Sequence, residues 1–310
     1  MVATSEVLAW LLAGDAAVAY VATRDLLGRD DPELQARIAT EGAGAAILAA
    51  RGANGHWGRG FYQPKWTSSH YTLLQLRGMG LSRTHPAAVA TVQLILETEK
   101  ATDGGVSPSP PSKPSDACVN GMALGYASWF GAAEDELRSV VDFLLRERVV
   151  DGGFNCRHNR PGARVTHSSV HTTVCVMEGI TDYVRSGAHY RRDELEEAYA
   201  SSAEFLLRHR LLRSETTGEV ISPDFTRLHV PARWHYDILR GLDSLAAGNV
   251  PRDDRMGEAL ALLRRRRRPD GRWNANRAYP GVTHVPDDPA GQPSRWVTAI
   301  AERVLVAYPE

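Results

Sequence analysis

A short pattern recurs along this chain: a basic residue, three residues, glycine, one residue, then a large apolar residue. It runs Arg51-Gly-Ala-Asn-Gly55-His-Trp57, Lys100-Ala-Thr-Asp-Gly104-Gly-Val106, Arg148-Val-Val-Asp-Gly152-Gly-Phe154 and Arg267-Arg-Pro-Asp-Gly271-Arg-Trp273, with a worn copy over 213–220. A signal repeated at roughly 50-residue spacing marks a chain built from stacked supersecondary units. Each copy follows a helical stretch and precedes a polar loop. Glycine there suits the positive φ of a tight turn after a helix. Two kinds of helix alternate between the turns. Charged amphipathic stretches cover 83–99, 134–148, 191–209 and 254–267; Glu134, Asp135 and Glu136 open one and Arg146 closes it, as the helix dipole favours. Stretches of small and apolar residues cover 67–80, 116–130, 168–184, 233–246 and 295–307, and 15–27 with 32–50 form an earlier pair. The charged helices should face water and the blander ones should be enclosed. The expected fold is all-α, with five or six hairpins closing as one domain over 1–310 into an α/α barrel with parallel inner helices. An open superhelical solenoid is the competing architecture.

Charge and cysteine usage narrow the function classes. Lys plus Arg (36) nearly balances Asp plus Glu (37), giving a net charge of −1. No nucleic-acid partner is expected, since such binding needs a basic face. The basic run 264–268 ends a helical stretch and is expected to be solvated. Three cysteines, Cys118, Cys156 and Cys175, make no disulfide framework. No apolar run is long enough to span a bilayer, and the apolar stretch 7–20 lacks the basic leader of a signal peptide and contains Asp15. A reducing cytoplasm is the expected location, with thiols free for metal or chemistry.

Aligned by their apolar pattern, the inner helices start His70-Tyr-Thr-Leu-Leu, Cys118-Val-Asn-Gly-Met, His171-Thr-Thr-Val-Cys, His235-Tyr-Asp-Ile-Leu and Val297-Thr-Ala-Ile-Ala. One register position then carries His70, Cys118, His171, His235 and Val297, which parallel inner helices would gather at one mouth. Imidazole and thiolate are common zinc ligands. Asp116, two residues before Cys118, would point elsewhere on a regular helix but can turn inward from a cap position. Asp116, Cys118 and His171 are therefore the candidate zinc ligands, leaving one position open for water or substrate. Asp116 as a simple cap and Cys118 as a small core residue remain the structural alternative.

Asp116-Ala-Cys118, Asp151-Gly-Gly-Phe154 and Val170-His171-Thr172 together resemble the β subunits of protein prenyltransferases, α/α barrels that hold zinc with an Asp-x-Cys pair and a later histidine. The resemblance implies zinc at Asp116, Cys118 and His171, and diphosphate contacts at Lys113 and His70. The turns Gly55-His-Trp57 and Gly271-Arg-Trp273 resemble the QW repeats of squalene and terpenoid cyclases, with arginine in place of glutamine. The sequence departs from the prenyltransferase pattern at Pro110, where that family has arginine, and at Val119, where it has tyrosine. The Asp-x-Asp-Asp acid of squalene cyclases is absent; Asp253-Asp254 and Asp287-Asp288 are expected to be loop or cap residues.

Further residues belong near the expected mouth. Cys156 and His158 are alternative ligands, and Cys156 alternatively a reactive thiol. His167, four before His171, could replace Asp116 on one helical face. Arg157, Arg160 and Arg164 suit an anionic group on a substrate or plain solvent exposure. His235 is a candidate proton carrier or fourth ligand, and Asp237 a candidate acid. Trp66, Tyr71, Trp234, Tyr236 and Trp296 could line an apolar pocket or stabilise a carbocation. Three functions follow: a zinc-dependent transferase or cyclase acting on an isoprenoid or other small hydrophobic, diphosphate- or thiol-bearing molecule; a metal-free, acid-initiated cyclase using Asp237; and a binding barrel without catalysis.

Overall fold

The computed structural model describes residues 4–109, 113–157 and 165–309. Among these the secondary structure is helical, apart from isolated β-bridges. In chain order the helices are α1 (Ser5–Leu12), α2 (Ala16–Leu27), α3 (Pro32–Arg37), α4 (Gly42–Ala49), α5 (Ser69–Gly78), α6 (Pro86–Thr98), α7 (Ala117–Trp129), α8 (Glu134–Arg146), α9 (Val170–Arg185), α10 (Arg192–Arg208), α11 (Ile238–Ala247), α12 (Gly257–Arg265) and α13 (Arg295–Ala307). No helix among the described residues is long and apolar enough to cross a membrane.

The repeated pattern is a repeated turn. Its glycines Gly55, Gly104, Gly152 and Gly271 have φ of 81°, 90°, 102° and 79°, the left-handed region. In each copy the residue after the basic one donates its backbone N–H across the turn, from Gly52 to His56 (2.7 Å), Ala101 to Gly105 (2.8 Å), Val149 to Gly153 (2.9 Å) and Arg268 to Arg272 (2.8 Å). The basic and apolar residues face each other in the bridges Lys100–Val106, Arg148–Phe154 and Arg213–Val220, so the worn copy is a true member. The basic residue then reaches the outer helix that follows. Arg51 donates to Thr91 (2.9 Å), Lys100 to the Glu136 carbonyl (2.9 Å), Arg148 to Glu197 (3.0 Å) and Arg213 to Glu258 (2.6 Å). The apolar residue's N–H is taken by the next inner helix: Trp57 donates to Ser69, Val106 to Asn120, Phe154 to Thr173 and Trp273 to Thr298. One heptapeptide thus joins an outer and an inner helix while burying its apolar side chain.

The chain divides into two compact units. The central unit is Arg51–Arg77 with Arg83–Leu206, and the terminal unit is Met1–Ala50, Gly78–Ser82 and Leu207–Glu310. In the central unit, α7 and α9 pack backbone against backbone. A Cβ on Gly179 would lie 2.1 Å from the Gly121 carbonyl oxygen, and one on Gly121 would lie 2.6 Å from the Val176 Cα. Towards the other end of α9, buried Asp182 pairs with Arg77 of α5 at 2.5 Å. In the terminal unit, Arg303 of α13 ties Asp243 of α11 (2.7 Å) and Asp25 of α2 into one ionic cluster. Val7, Leu11, Val18, Ala22 and Ala299 form an apolar core there, with Trp10, Leu26 and Trp296 against it.

The structure corrects several expectations. The stretch 32–50 is two helices, α3 and α4. Gly42, at φ 57°, breaks it where Asp15 docks: a Cβ on Gly42 would lie 1.8 Å from the Asp15 carboxylate oxygen that accepts the Ala43 N–H at 2.9 Å. The apolar run 7–20 belongs to two helices, α1 capped by Thr4 and α2 capped by Asp15. The basic run is only partly a solvated helix end: Arg267 lies 5.3 Å from the Trp273 ring and pairs at 2.8 Å with Glu302, which is fully buried.

Candidate functional site

Helix starts, read from the N-caps, revise the predicted register. α7, α9, α11 and α13 are capped at Asp116, Ser169, Asp237 and Ser294. Cys118 and His171 are thus two residues past their caps, and Trp296 and Leu239 take that position in α13 and α11. His235 precedes the α11 cap, on irregular chain that follows Arg233 at φ 58°. The apolar pattern continued past the true start of α11, which the positive φ and Pro231 had already displaced.

In the central unit the close approach of α7 and α9 brings the first turn of α7 to the loop after Gly152-Gly153. The Cys118 and Cys156 sulfurs stand 3.2 Å apart. The Cys118 backbone N–H points at Cys156 Sγ (3.4 Å), and Thr172 Oγ1 lies 3.5 Å from the same sulfur. Cys118 and Cys156 are half-buried residues, while Cys175 is buried. The two sulfurs cannot easily both ionise. Once one proton leaves, the remaining S–H bonds the thiolate, which pushes Cys118 well above the usual thiol range and Cys156 below it; burial and the Asp116 charge add to the rise at Cys118. Asp116 makes no capping bond to the α7 backbone.

Aromatic side chains adjoin the thiols. Tyr62 and Tyr71 share a hydroxyl contact of 3.0 Å, and both are raised by burial first; the Tyr71 contact lowers Tyr62, while Asp116 and the two thiols add to its rise. His70 is fully buried among Phe61, Tyr62, Tyr71 and Tyr126, with ring centroids 4.9–5.6 Å away. Burial pushes its pKa down to about 3, so it is a neutral imidazole at pH 7, with Nδ1 3.4 Å from the Tyr126 hydroxyl and Nε2 without a hydrogen-bond partner. Trp66, buried, packs edge-on to Tyr71 at 4.8 Å.

Other predicted residues are placed as follows. His171 is half-buried beside the N-cap of α9 and His167 is exposed, its carbonyl accepting from Asn155. Lys113 is exposed, and Arg157 pairs with Glu147 at 2.6 Å. His158, Arg160, Arg164 and Pro110 lie outside the described residues. Among the described residues no three His, Cys, Asp or Glu side chains converge to hold a metal. The thiol pair itself suits one: two sulfurs on a tetrahedral zinc lie about 3.7 Å apart. Asp116 and His171 supply the further donor chemistry, but their side chains would have to turn towards the sulfurs.

In the terminal unit Asp237 is the working cap of α11. It accepts the His229 N–H at 2.8 Å and the Arg240 N–H at 3.0 Å. His229, buried, brings Nδ1 to 3.5 Å from Asp237 and 3.3 Å from the Tyr279 hydroxyl. His235 is stacked between Trp234 (3.8 Å) and Tyr279 (3.7 Å). A small cavity of about 20 Å³, room for about one water, is lined by His229, Arg233, Asn276, Tyr279, Asp287 and Asp288. Arg233 is buried and stands 3.7 Å from Asp287, whose acidity burial weakens although Arg233 opposes the shift. Asp288 accepts the Ser294 hydroxyl at 2.6 Å. Asp287 and Asp288 lie on irregular chain, as expected of loop or cap residues, while His229, Arg233 and Tyr279 beside them share no repeat position that would mark them in the sequence. Tyr236 and Trp296 are packing residues. The Tyr236 hydroxyl is held by the Leu211 carbonyl at 2.6 Å and its ring packs on Phe225; Trp296 joins the terminal core.

No family model matches the sequence, and no curated protein matches it. Solved structures do share its fold. A possible member of the GH105 family from Salmonella enterica serovar Paratyphi A is 10% identical, with 95% of this chain and 82% of that one covered at a TM-score of 0.54. A glycosyl hydrolase family 88 protein from Bacteroides vulgatus is 12% identical, covering 93% and 90%, at a TM-score of 0.52. The type II terpene cyclase MstE from Scytonema, 15% identical over 89% and 98%, aligns at a TM-score of only 0.36 and carries no argument. At such identities the likeness is one of fold alone. The chain is an all-α protein of the α/α-barrel class, the architecture its repeated turn predicts.

Proposed function

We propose that the protein is a zinc-dependent enzyme acting on an isoprenoid or another small hydrophobic molecule, by alkyl transfer or cyclisation. The observation that carries this reading is the pair of thiols 3.2 Å apart at the start of α7, beside an Asp116 carboxylate that does not cap its helix. Cys118, Asp116 and His171 would hold the metal and leave its fourth position open to substrate, with Cys156 as the alternative to one of the three. Bound zinc supplies a Lewis acid or holds a substrate thiol as thiolate. The chain's own contribution is to bind and orient. Tyr62, Trp66 and Tyr71 offer an apolar wall, and neutral His70 can accept a proton or hydrogen bond but carries no charge against an anion. A diphosphate substrate would have to displace Glu147 from Arg157 and recruit Lys113 from solvent.

The acid-initiated alternative needs a protonated carboxyl aimed at an alkene. Asp237 spends both oxygens on backbone N–H donors, which favours its cap role over that one.

The test is metal content of the purified chain with Asp116→Ala, Cys118→Ala and His171→Ala beside it. About one zinc per chain, lost in the variants, is expected. A chain never exposed to chelator that holds no zinc, and takes none up on titration, removes the metal from the reading. With zinc present, prenyl diphosphates and small thiols are the first substrates to screen.

A further inference from the structure

We propose that Cys118 and Cys156 form a reversible dithiol–disulfide site, oxidised by small peroxides or low-mass disulfides. The pair is 38 residues apart in sequence and only the fold brings it together. A separation of 3.2 Å lies between the two covalent options. It is about 0.5 Å short of two sulfurs on one zinc and about 1.2 Å long for a disulfide. Closing the second gap requires little. Cys156 is on irregular chain after the Gly152-Gly153 turn, so its side chain can advance while Cys118 stays anchored in the first turn of α7. Cys118 and Cys156 are half-buried residues near the N-terminal end of α7, whereas Cys175 is shielded within α9.

The chemistry balances as two steps. One thiolate attacks a peroxide oxygen, breaking the O–O bond; the sulfur becomes a sulfenic acid, and the departing oxygen takes up a proton as water or alcohol. The neighbouring thiol then attacks that sulfur, forming the S–S bond, and the sulfenic oxygen leaves as water with the second thiol's proton. Two thiols and one hydrogen peroxide give one disulfide and two waters. With a low-mass disulfide the same exchange releases two equivalents of the small thiol. A dithiol reductant reverses it. Neither sulfur of the disulfide can serve as a thiolate ligand, so oxidation would release zinc. That consequence rests on the reading above; the disulfide does not.

The intact chain is purified reduced, freed of reductant, and treated with hydrogen peroxide or oxidised glutathione, with and without prior chelation. Thiols are counted after denaturation, metal is measured on the same samples, and the linked peptide is mapped. Reactive thiols should fall from three to one per chain, with a Cys118–Cys156 cross-link, and dithiothreitol should restore all three. Cys175→Ser should still form the link, and Cys118→Ser or Cys156→Ser should not. Three thiols persisting in the chelated, oxidised chain, or a link through Cys175 or between chains, overturns the proposal. A cross-link in a chain that never binds zinc upholds it while ending the metal reading. Zinc bound at Cys118 in a chain whose thiols stay reduced after chelation and oxidation does the reverse.

Discussion

Asp116 and Asp237 occupy the same station, the N-cap of an inner helix, in different units, and they do different things there. Asp237 bonds two backbone N–H groups and has the buried His229 ring at its side, 3.5 Å away. Asp116 makes no capping bond; its neighbours are two thiols, with tyrosines and a neutral histidine close by. A helix start that forgoes its cap forfeits about 1 kcal/mol. At the Asp116 start the nearby feature is instead the thiol pair, whose Cys118 the Asp116 charge helps push up. The repeated turn therefore delivers equivalent helix starts and leaves their chemistry to residues outside the repeat.

The comparison breaks most severely if the central unit cannot bring its helices together. Gly179→Val would drive a branched side chain into the Gly121 carbonyl, where even a Cβ would be 2.1 Å away. A loss of ~3 kcal/mol or more is expected in denaturant unfolding, together with loss of the cysteine pair. A stable Gly179→Val protein with the pair intact would show that close packing of α7 and α9 is not what positions the thiols.

Next come the ionic ties further along the inner helices. Arg77→Ala leaves Asp182, 6% exposed, without its cation and should cost ~3 kcal/mol. Arg303→Ala acts on a cluster whose arginine is 29% exposed, and solvent screening should hold the cost to ~1–2 kcal/mol. Asp182 has its folded pKa raised by burial, a shift Arg77 opposes. Its stabilising contribution is therefore complete below the unfolded value and is lost as pH rises through the folded one. Removing Arg77 should raise that folded pKa further, so the variant's deficit shrinks on acidification. A deficit independent of pH would assign the loss to packing instead.

The caps themselves give a smaller and sharper test. Asp237→Ala removes the carboxylate acceptors of two backbone N–H groups and should cost ~1–2 kcal/mol. Asp116→Ala removes no cap bond and should cost less than Asp237→Ala in metal-free protein. Equal costs, measured as shifts in the urea midpoint, would erase the distinction between the two starts.

A modest effect at neutral pH belongs to His70. Its folded pKa is depressed to about 3 by burial, against about 6.5 unfolded. Its contribution is present above the unfolded value and is lost as pH falls through the folded one. His70→Phe, close in shape, should cost under ~1.5 kcal/mol at pH 7 and flatten the acid limb between those values. An unchanged acid limb would place the acid sensitivity elsewhere.

The fold was legible because the turn is local. A positive-φ glycine, a basic residue and an apolar plug act within seven residues, and their partners come from the outer and inner helices that follow. Even the worn copy at 213–220 was readable: it is one residue longer, yet its bridge and its Arg213–Glu258 pair repeat the pattern. The helix boundaries were less so. Gly42 opens a separate helix where Asp15, far back in the chain, docks against it, and α11 starts only after Arg233 in its left-handed conformation. Asp116, Cys118 and Cys156 were each visible as candidates, but their grouping was not.

By itself the sequence determined the repeat, the helical class and the residue types able to do chemistry, because periodicity and turn propensity are properties of neighbours along the chain. Only the tertiary structure decided that Cys118 meets Cys156, that Asp237 serves its helix while Asp116 does not, and that His229 and Tyr279 share a cavity with Arg233 and Asp287. Those outcomes depend on how closely two helices can approach and which backbone N–H groups still lack an acceptor, and both are settled when distant segments pack.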